Sequence, residues 1–242
     1  MSAVGAIKDV INAAGDLLFP PHCAVCDTAI ESGRWICLPC EAKIQRIDHP
    51  RCENCSHPLS GMSGPFICPN CKGQPFHFEF AVSVMRAGGS TRELIHRLKY
   101  KHEQRLAVLL GGWLAEGFQD KRLSDFDPEV IVPVPLHAVR HREREFNQSE
   151  LLARIASKHL GIPWQNLLIR QRHTDTQTQF DRKHRMENLR DAFKLRKNAA
   201  VHELRIALVD DVLTTGSTLD ECARVLIDGG ASRVCAVTVA RG

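Results

Sequence analysis

The chain has 242 residues, of which 43% are hydrophobic and 25% charged, with a formal net charge of +4. This is the composition of an ordinary soluble protein, with no run of about 18 apolar residues to cross a membrane. One tyrosine and three tryptophans with so slight a charge give little support for base stacking along a nucleic acid. The length suits one core domain of about 150 residues with a smaller appendage.

From Ala3 to Phe19, Val4, Ile7, Val10, Ile11 and Leu18 recur at helical spacing, interrupted by Lys8, Asp9 and Asp16. A secretory apolar region is uninterrupted. Residues 1–21 are therefore expected to form an amphipathic helix docked on the rest and stopped by Pro20 and Pro21, and the protein is expected to be cytoplasmic. Eight of the ten cysteines then form four CxxC pairs: Cys23 and Cys26, Cys37 and Cys40, Cys52 and Cys55, Cys68 and Cys71. Each such knuckle offers two thiolates from one turn, and two knuckles complete a tetrahedron, so the spacing predicts two structural Zn²⁺ ions. A segment this poor in large apolar residues needs metal for its folding energy. Sequential pairing, the first four cysteines on one ion and the last four on the other, is the assignment made; an interleaved cross-brace is the alternative left open by the spacing. His22, His49 and His57 lie nearby, but eight thiolates already satisfy two sites. Cys222 and Cys235 read as buried structural thiols. The zinc module spans 22–73, and a break at Gly73 to Pro75 opens the main domain, 76–242.

That domain alternates strand and helix. Phe80 to Met85 reads as a strand, Thr91 to Phe118 as one long helical pattern, Val130 to Val134 as a strand, Gln148 to His159 as a helix, Asn166 to Ile169 as a strand, and Val234 to Val239 as the last strand. This rhythm predicts an α/β fold with a mostly parallel, doubly wound sheet.

The densest motif is ALVDDVLTTGSTL, Ala207 to Leu219. Ile206 to Val209 is a continuous apolar run, as in a strand covered on both faces, and places Asp210 and Asp211 at its carboxyl end, the ligand edge of open α/β sheets. The loop that follows carries Thr214, Thr215, Gly216, Ser217 and Thr218 and leads into a helix, Ser217 to Ile227, whose first amides attract anions. Carboxylates cannot hold a phosphate but suit the hydroxyls of a ribose, so the site fits a ribose 5-phosphate. The Gly-Lys-Ser/Thr ending of a Walker loop and the GxGxxG of a dinucleotide fold are both absent. Two basic loops accompany it. Pro133 to Gln148 holds the cations Arg140, Arg142 and Arg144, suited to a pyrophosphate, together with His137 and His141. Arg170 to Phe193 holds Arg170, Arg172, Arg182, Lys183, Arg185 and Arg190 and is long enough to serve as a flap over substrate.

The segment Val209 to Thr218 resembles the phosphoribosyl pyrophosphate (PRPP) signature of type I phosphoribosyltransferases. The whole chain resembles the ComF family, also called GntX-like, of bacterial phosphoribosyltransferase-like proteins linked to natural competence and DNA utilisation. The resemblance is carried by LLFPPHCAVC (Leu17 to Cys26), the paired ribbons, RLKY (Arg97 to Tyr100), VPVPLH (Val132 to His137), REFNQ (Arg144 to Gln148), the second loop's Thr174, Gln177, Arg182, Arg185, Asn188, Ala192 and Phe193, and VDDVLTTGST. Glu145 and Asp191 stand where the family usually has glycine, and Gln179-Phe180 where Gly-Leu is usual.

The resemblance implies that Asp210 and Asp211 hold the ribose hydroxyls and Thr214 to Thr218 the 5-phosphate. It implies that Arg140 and Arg144 face the pyrophosphate, that Mg²⁺ is bound mostly by ligand oxygens, and that Gln177, Arg182 and Arg185 close over the site. Asp210, Asp211, Arg144 and Arg185 would be the catalytic set of a phosphoribosyltransferase. The competing expectation is a non-catalytic protein that handles single-stranded DNA, with PRPP as a regulatory ligand. A third has the ribbons docking a helicase-like competence protein.

Overall fold

A computed structural model describes residues 20–59, 66–73, 75–172 and 189–242. The expected N-terminal helix, and Gln177, Arg182 and Arg185, lie outside the described residues. Four strands make one parallel sheet in the order β1 (Ala81–Arg86), β6 (Arg233–Arg241), β5 (Arg205–Leu213), β2 (Val130–Pro133). The two central strands are apolar almost throughout because both faces of the sheet are covered. Ala207, Val209, Cys235, Val237 and Val239 belong to one core and Ile206, Leu208, Val234 and Ala236 to the other, the period-2 alternation of a pleated strand.

The first core is closed by α2 (Gly89–Tyr100), α3 (Leu106–Gly117), α4 (Lys121–Phe126) and α6 (Gln148–Leu160). The second is closed by α7 (Ser217–Asp228) and by an antiparallel pair, β3 (Leu168–Arg170) with β4 (Phe193–Leu195). The ribbons join these cores instead of standing apart. Cys23, Ala24, Ile36 and Cys40, the last in the short α1 (Leu38–Glu41), pack into the first, while Cys52, Cys55, Cys68 and Cys71 pack into the second. The connecting segment also runs along the free edge of β1, with Ile47 N donating to Val84 O and Arg86 N to Gln45 O. No helix among the described residues is long and apolar enough to cross a membrane.

Three expectations change in detail. The single helix expected over 91–118 is two, because the five polar residues 101–105 form a turn in which His102 takes φ +55° and Arg97 Nε donates to Glu103 Oε1 at 2.6 Å. The strand expected at 166–169 is β3, which leaves the main sheet to pair with β4 across the base of the second basic loop. The first basic loop contains α5 (Ala138–Arg144), capped by His137 Nδ1, which accepts from Val139 N. α6 begins as its sequence dictates, with Asn147 Oδ1 accepting from Ser149 N at 3.0 Å, and ends at Gly161 with φ +73°.

α3 and α6 approach closely at Gly111, where a Cβ would lie 2.7 Å from Ile155 Cβ, whereas nothing lies within 4 Å of a Cβ at its neighbour Gly112. The two glycines should therefore respond oppositely. Gly112→Ala gains up to about 1 kcal/mol of helix propensity and raises Tm, while Gly111→Val overpacks the helix contact at a cost of about 1–3 kcal/mol and lowers it. Thermal unfolding of both variants checks this, and a stabilising Gly111→Val would refute the contact.

Candidate functional site

The four parallel strands end on one cleft of about 630 Å³, lined by Ala87 after β1, Leu136 and His137 after β2, Val212 and Thr214 at the end of β5, and Gly242 after β6. Five cations line it too: Arg92 and Lys99 from α2, Arg140 and Arg144 from α5, and Arg170 from β3. The guanidinium of Arg144 is held by Gln148 Oε1 at 3.0 Å and Tyr100 Oη at 3.2 Å and lies 4.9 Å from the Tyr100 ring centroid. α5 presents Arg140 and Arg144 together because they are four residues apart on one helical face. The helix stops at Glu145 with φ +64°, so the position where the resemblance expects glycine does need the left-handed backbone. Asp191, at φ +57°, repeats the pattern.

β5 extends past the apolar run through Leu213, so the two acids lie within the strand, Asp210 opposite Thr238 on β6. Asp211 is buried at 2% exposure and makes an ion pair with Lys99 Nζ, with Gln148 Nε2 donating to its Oδ1 at 3.3 Å. Half-buried Asp210 accepts from Ser149 Oγ at 2.7 Å and from Asp211 N at 2.9 Å. Their proton affinities diverge accordingly. Burial, then the neighbouring Asp211 charge, raises Asp210 from the usual carboxylate range to about 7. Burial opposes charge on Asp211 as well, but Lys99's charge and hydrogen bond outweigh it and hold the group low. Lys99 is raised in turn: the charges of Asp211 and Asp210 outweigh its own burial.

Beyond Leu213, exposed Thr214 lines the cleft and Thr215 Oγ1 lies 3.0 Å from Ser217 Oγ. Gly216 makes the turn into α7 at φ +86°, and a Cβ there would meet Phe76 Cε1 at 2.9 Å, so both backbone and space call for glycine. The first-turn amides of α7 have no partners within the helix.

The eight paired cysteines gather into two sequential tetrads, Cys23, Cys26, Cys37 and Cys40 and Cys52, Cys55, Cys68 and Cys71, with donor atoms in each all within 4.8 Å of one another. Two Sγ pairs, Cys26 to Cys37 at 3.7 Å and Cys55 to Cys68 at 3.6 Å, match the roughly 3.8 Å edge of a tetrahedron with Zn–S bonds of about 2.3 Å. Backbone N–H groups of Cys37 and Cys68 donate to Cys23 Sγ and Cys52 Sγ at 3.4 and 3.2 Å, as they would to thiolates. These are zinc-ribbon donor sets suited to structural zinc.

Of the residues singled out from the sequence, His137, Arg140, Arg144, Arg170 and Thr214 meet in the cleft, Asp211 is tied to it through Lys99 with Asp210 beside it in the strand, and Thr215 to Thr218 form the adjoining turn and helix start. Lys99, Arg92, Ser149 and Gln148 complete the arrangement. Of these, Lys99 and Gln148 were visible only as letters within RLKY and REFNQ, and no spacing pointed to their roles.

An acidic strand end that turns through hydroxyls and a glycine into a helix, beside a cationic cleft on a parallel sheet, defines a phosphoribosyltransferase fold, here built together with a double zinc ribbon. Residues 147–242 match the family model described as a phosphoribosyl transferase domain, and residues 14–74 that described as a double zinc ribbon domain. The chain is 34% identical over 223 residues to the DNA utilization protein YhgH of Salmonella typhimurium, covering 90% of this chain and 96% of that protein. It is 35% identical over 196 residues to Competence protein F of Haemophilus influenzae (79% and 83% covered) and 26% identical over 253 residues to Competence protein ComFC of Bacillus subtilis (95% and 99%). The chain belongs to the ComF/GntX family of competence and DNA-utilisation proteins.

The acid pair yields a test in the ligand-free protein. A carboxyl whose native pKa is raised binds more protons folded than unfolded, so Asp210 makes stability fall as pH climbs from its unfolded range to about 7. Asp210→Asn keeps an acceptor for Ser149 and removes that fall, so its Tm at pH 8 should equal or exceed wild type. Asp211→Asn strands the Lys99 charge and should cost about 3–5 kcal/mol. Melting curves from pH 5 to 8.5 decide, and equal losses in both variants would contradict the assignment.

Proposed function

We propose that the cleft binds PRPP, or another ribose 5-phosphate ligand, and that the protein acts as a phosphoribosyltransferase in DNA utilisation. The observation that carries the reading is the convergence on one sheet edge of five cations, a hydroxyl-rich helix start and two adjacent acids of unequal proton affinity. In this reading Thr214 to Thr218 and the first amides of α7 take the 5-phosphate. Arg140, Arg144, Arg92 and Arg170 face the pyrophosphate, Arg144 already oriented by Gln148 and Tyr100. The lining includes no carboxylate among the described residues, and in this reading Mg²⁺ would enter on the pyrophosphate oxygens and keep its waters.

Lys99 has a double part. In the ligand-free protein it neutralises Asp211 while lining the cleft; an arriving pyrophosphate competes for it and frees the carboxylate to accept from a ribose hydroxyl. As the C1–O bond breaks, the bonding pair leaves with pyrophosphate, and Lys99 and the arginines stabilise that charge. An acceptor nucleophile supplies the new pair to C1. The second basic loop, with Gln177, Arg182 and Arg185, is assigned the exclusion of water. It starts and ends beside the cleft, Arg172 Nη1 donating to Arg190 O and Gln171 Nε2 to Asp191 O, both at 2.8 Å.

Calorimetric titration with PRPP and Mg²⁺, with pyrophosphate release followed in the same samples, tests this. Saturable binding is expected, and Arg144→Gln should weaken it about 10-fold or more, the worth of a charge-assisted hydrogen bond. Relatives are named for DNA utilisation and competence, so single-stranded DNA is titrated in parallel. DNA binding that weakens steeply with salt, with none for PRPP, would overturn the proposal.

A further inference from the structure

The second tetrad and the phosphate-loop turn are physically joined at both ends of the turn. Arg241 is 6% exposed at the end of β6. Its Nη1 donates to Leu213 O at 3.0 Å, the last residue of β5 before Thr214, and its Nη2 donates to Cys55 Sγ at 3.7 Å. The next residue follows suit, Gly242 N donating to Leu213 O at 2.9 Å. On the far side of the turn, the segment leaving Cys71 brings Phe76 against Gly216 and His77 onto α7. Phe76 Cε1 fills the space of a Gly216 Cβ, and His77 N and Nδ1 lie 2.6 and 3.0 Å from Asp220 Oδ1 in the first turn of α7. The turn is thus clamped before Thr214 and after Gly216 by residues tied to the second ribbon.

The charges fit this arrangement. A divalent cation with four thiolates carries two net negative charges, and all four cysteines of this tetrad are at most 4% exposed. A buried anionic centre needs a nearby donor with positive charge. Arginine supplies one while its planar fork reaches a carbonyl on the other side. The first tetrad belongs to the opposite core.

We propose that the second cysteine tetrad is a buttress of the phosphate-loop turn, with Arg241 as the positioning residue that transmits metal occupancy to Leu213 and Thr214. Metal at this tetrad holds the turn in its binding form, and its loss slackens the turn. The consequence for ligand affinity rests on the reading that the turn binds a phosphate; the mechanical coupling does not.

The test uses the full chain carrying two zinc ions. Arg241→Met should accelerate zinc transfer from one of the two sites to a chelator about 10-fold or more, as removal of a metal's supporting shell does. It should speed amide hydrogen exchange over residues 213–218 in ligand-free protein, and it should weaken PRPP binding in the presence of Mg²⁺. Zinc release and exchange both unchanged would overturn the proposal. If wild type binds no PRPP, the ligand reading fails alone and the coupling is judged on release and exchange. If Arg241→Met does not fold, stepwise chelation of wild type replaces it: exchange over 213–218 must rise as the slower-releasing or faster-releasing second-tetrad zinc, identified with a Cys23→Ser/Cys26→Ser variant, is removed. Exchange that stays constant through that loss is the contrary result.

Discussion

The buried pairing of Lys99 with Asp211 sets the terms for everything at the ligand edge. Two adjacent carboxylates at the centre of an apolar sheet would repel each other, and desolvation would neutralise both. Lys99 reaches in from α2 and fixes the charge on one of them, while Ser149 and the Asp211 amide support the other. The consequence is an unequal pair, one acid low and one raised to about 7. The same lysine also lines the cleft with four arginines, which couples the state of the acids to whatever anion enters.

The ribbons are structural parts of this edge. Neither tetrad segment has enough large apolar side chains for a core of its own; the first gives Cys23 and Cys40 to one core of the sheet and the second gives all four of its cysteines to the other. Tetrahedral metal ligation at the two tetrads would supply the folding energy that burial does not. Hydrogen bonds cross the junction in both directions: Ala81 N donates to Asn54 O, and Ser56 Oγ donates to Ala81 O at 2.8 Å. A ribbon built in this way shapes the sheet edge as well as decorating it.

Much of this was legible from residues alone. Apolar runs gave β5 and β6 because strands covered on both faces leave no polar alternation to confuse them, and CxxC spacing gave the tetrads because metal geometry fixes it. The strand end and its turn into α7 followed from Asp210, Asp211 and Gly216. The turn at 101–105 was hidden, since Leu98 and Leu106 sit at a spacing that a continuous helix also satisfies. β3 was readable as a strand but its departure from the main sheet was not, and β4 was missed because a three-residue strand carries almost no periodicity. Lys99 was illegible as a partner of Asp211, for 112 residues of chain separate them and a lone lysine on an amphipathic helix ordinarily points to water.

The exchange of Lys99 between Asp211 and a ligand anion is the centre of the account. A crystal structure of the protein soaked with PRPP and Mg²⁺ tests it most directly. The account predicts the 5-phosphate against Thr214 to Thr218, with Lys99 Nζ drawn onto the pyrophosphate and Asp211 turned to a ribose hydroxyl. A ligand bound elsewhere, or one bound in the cleft with the Lys99–Asp211 pair untouched, would contradict it.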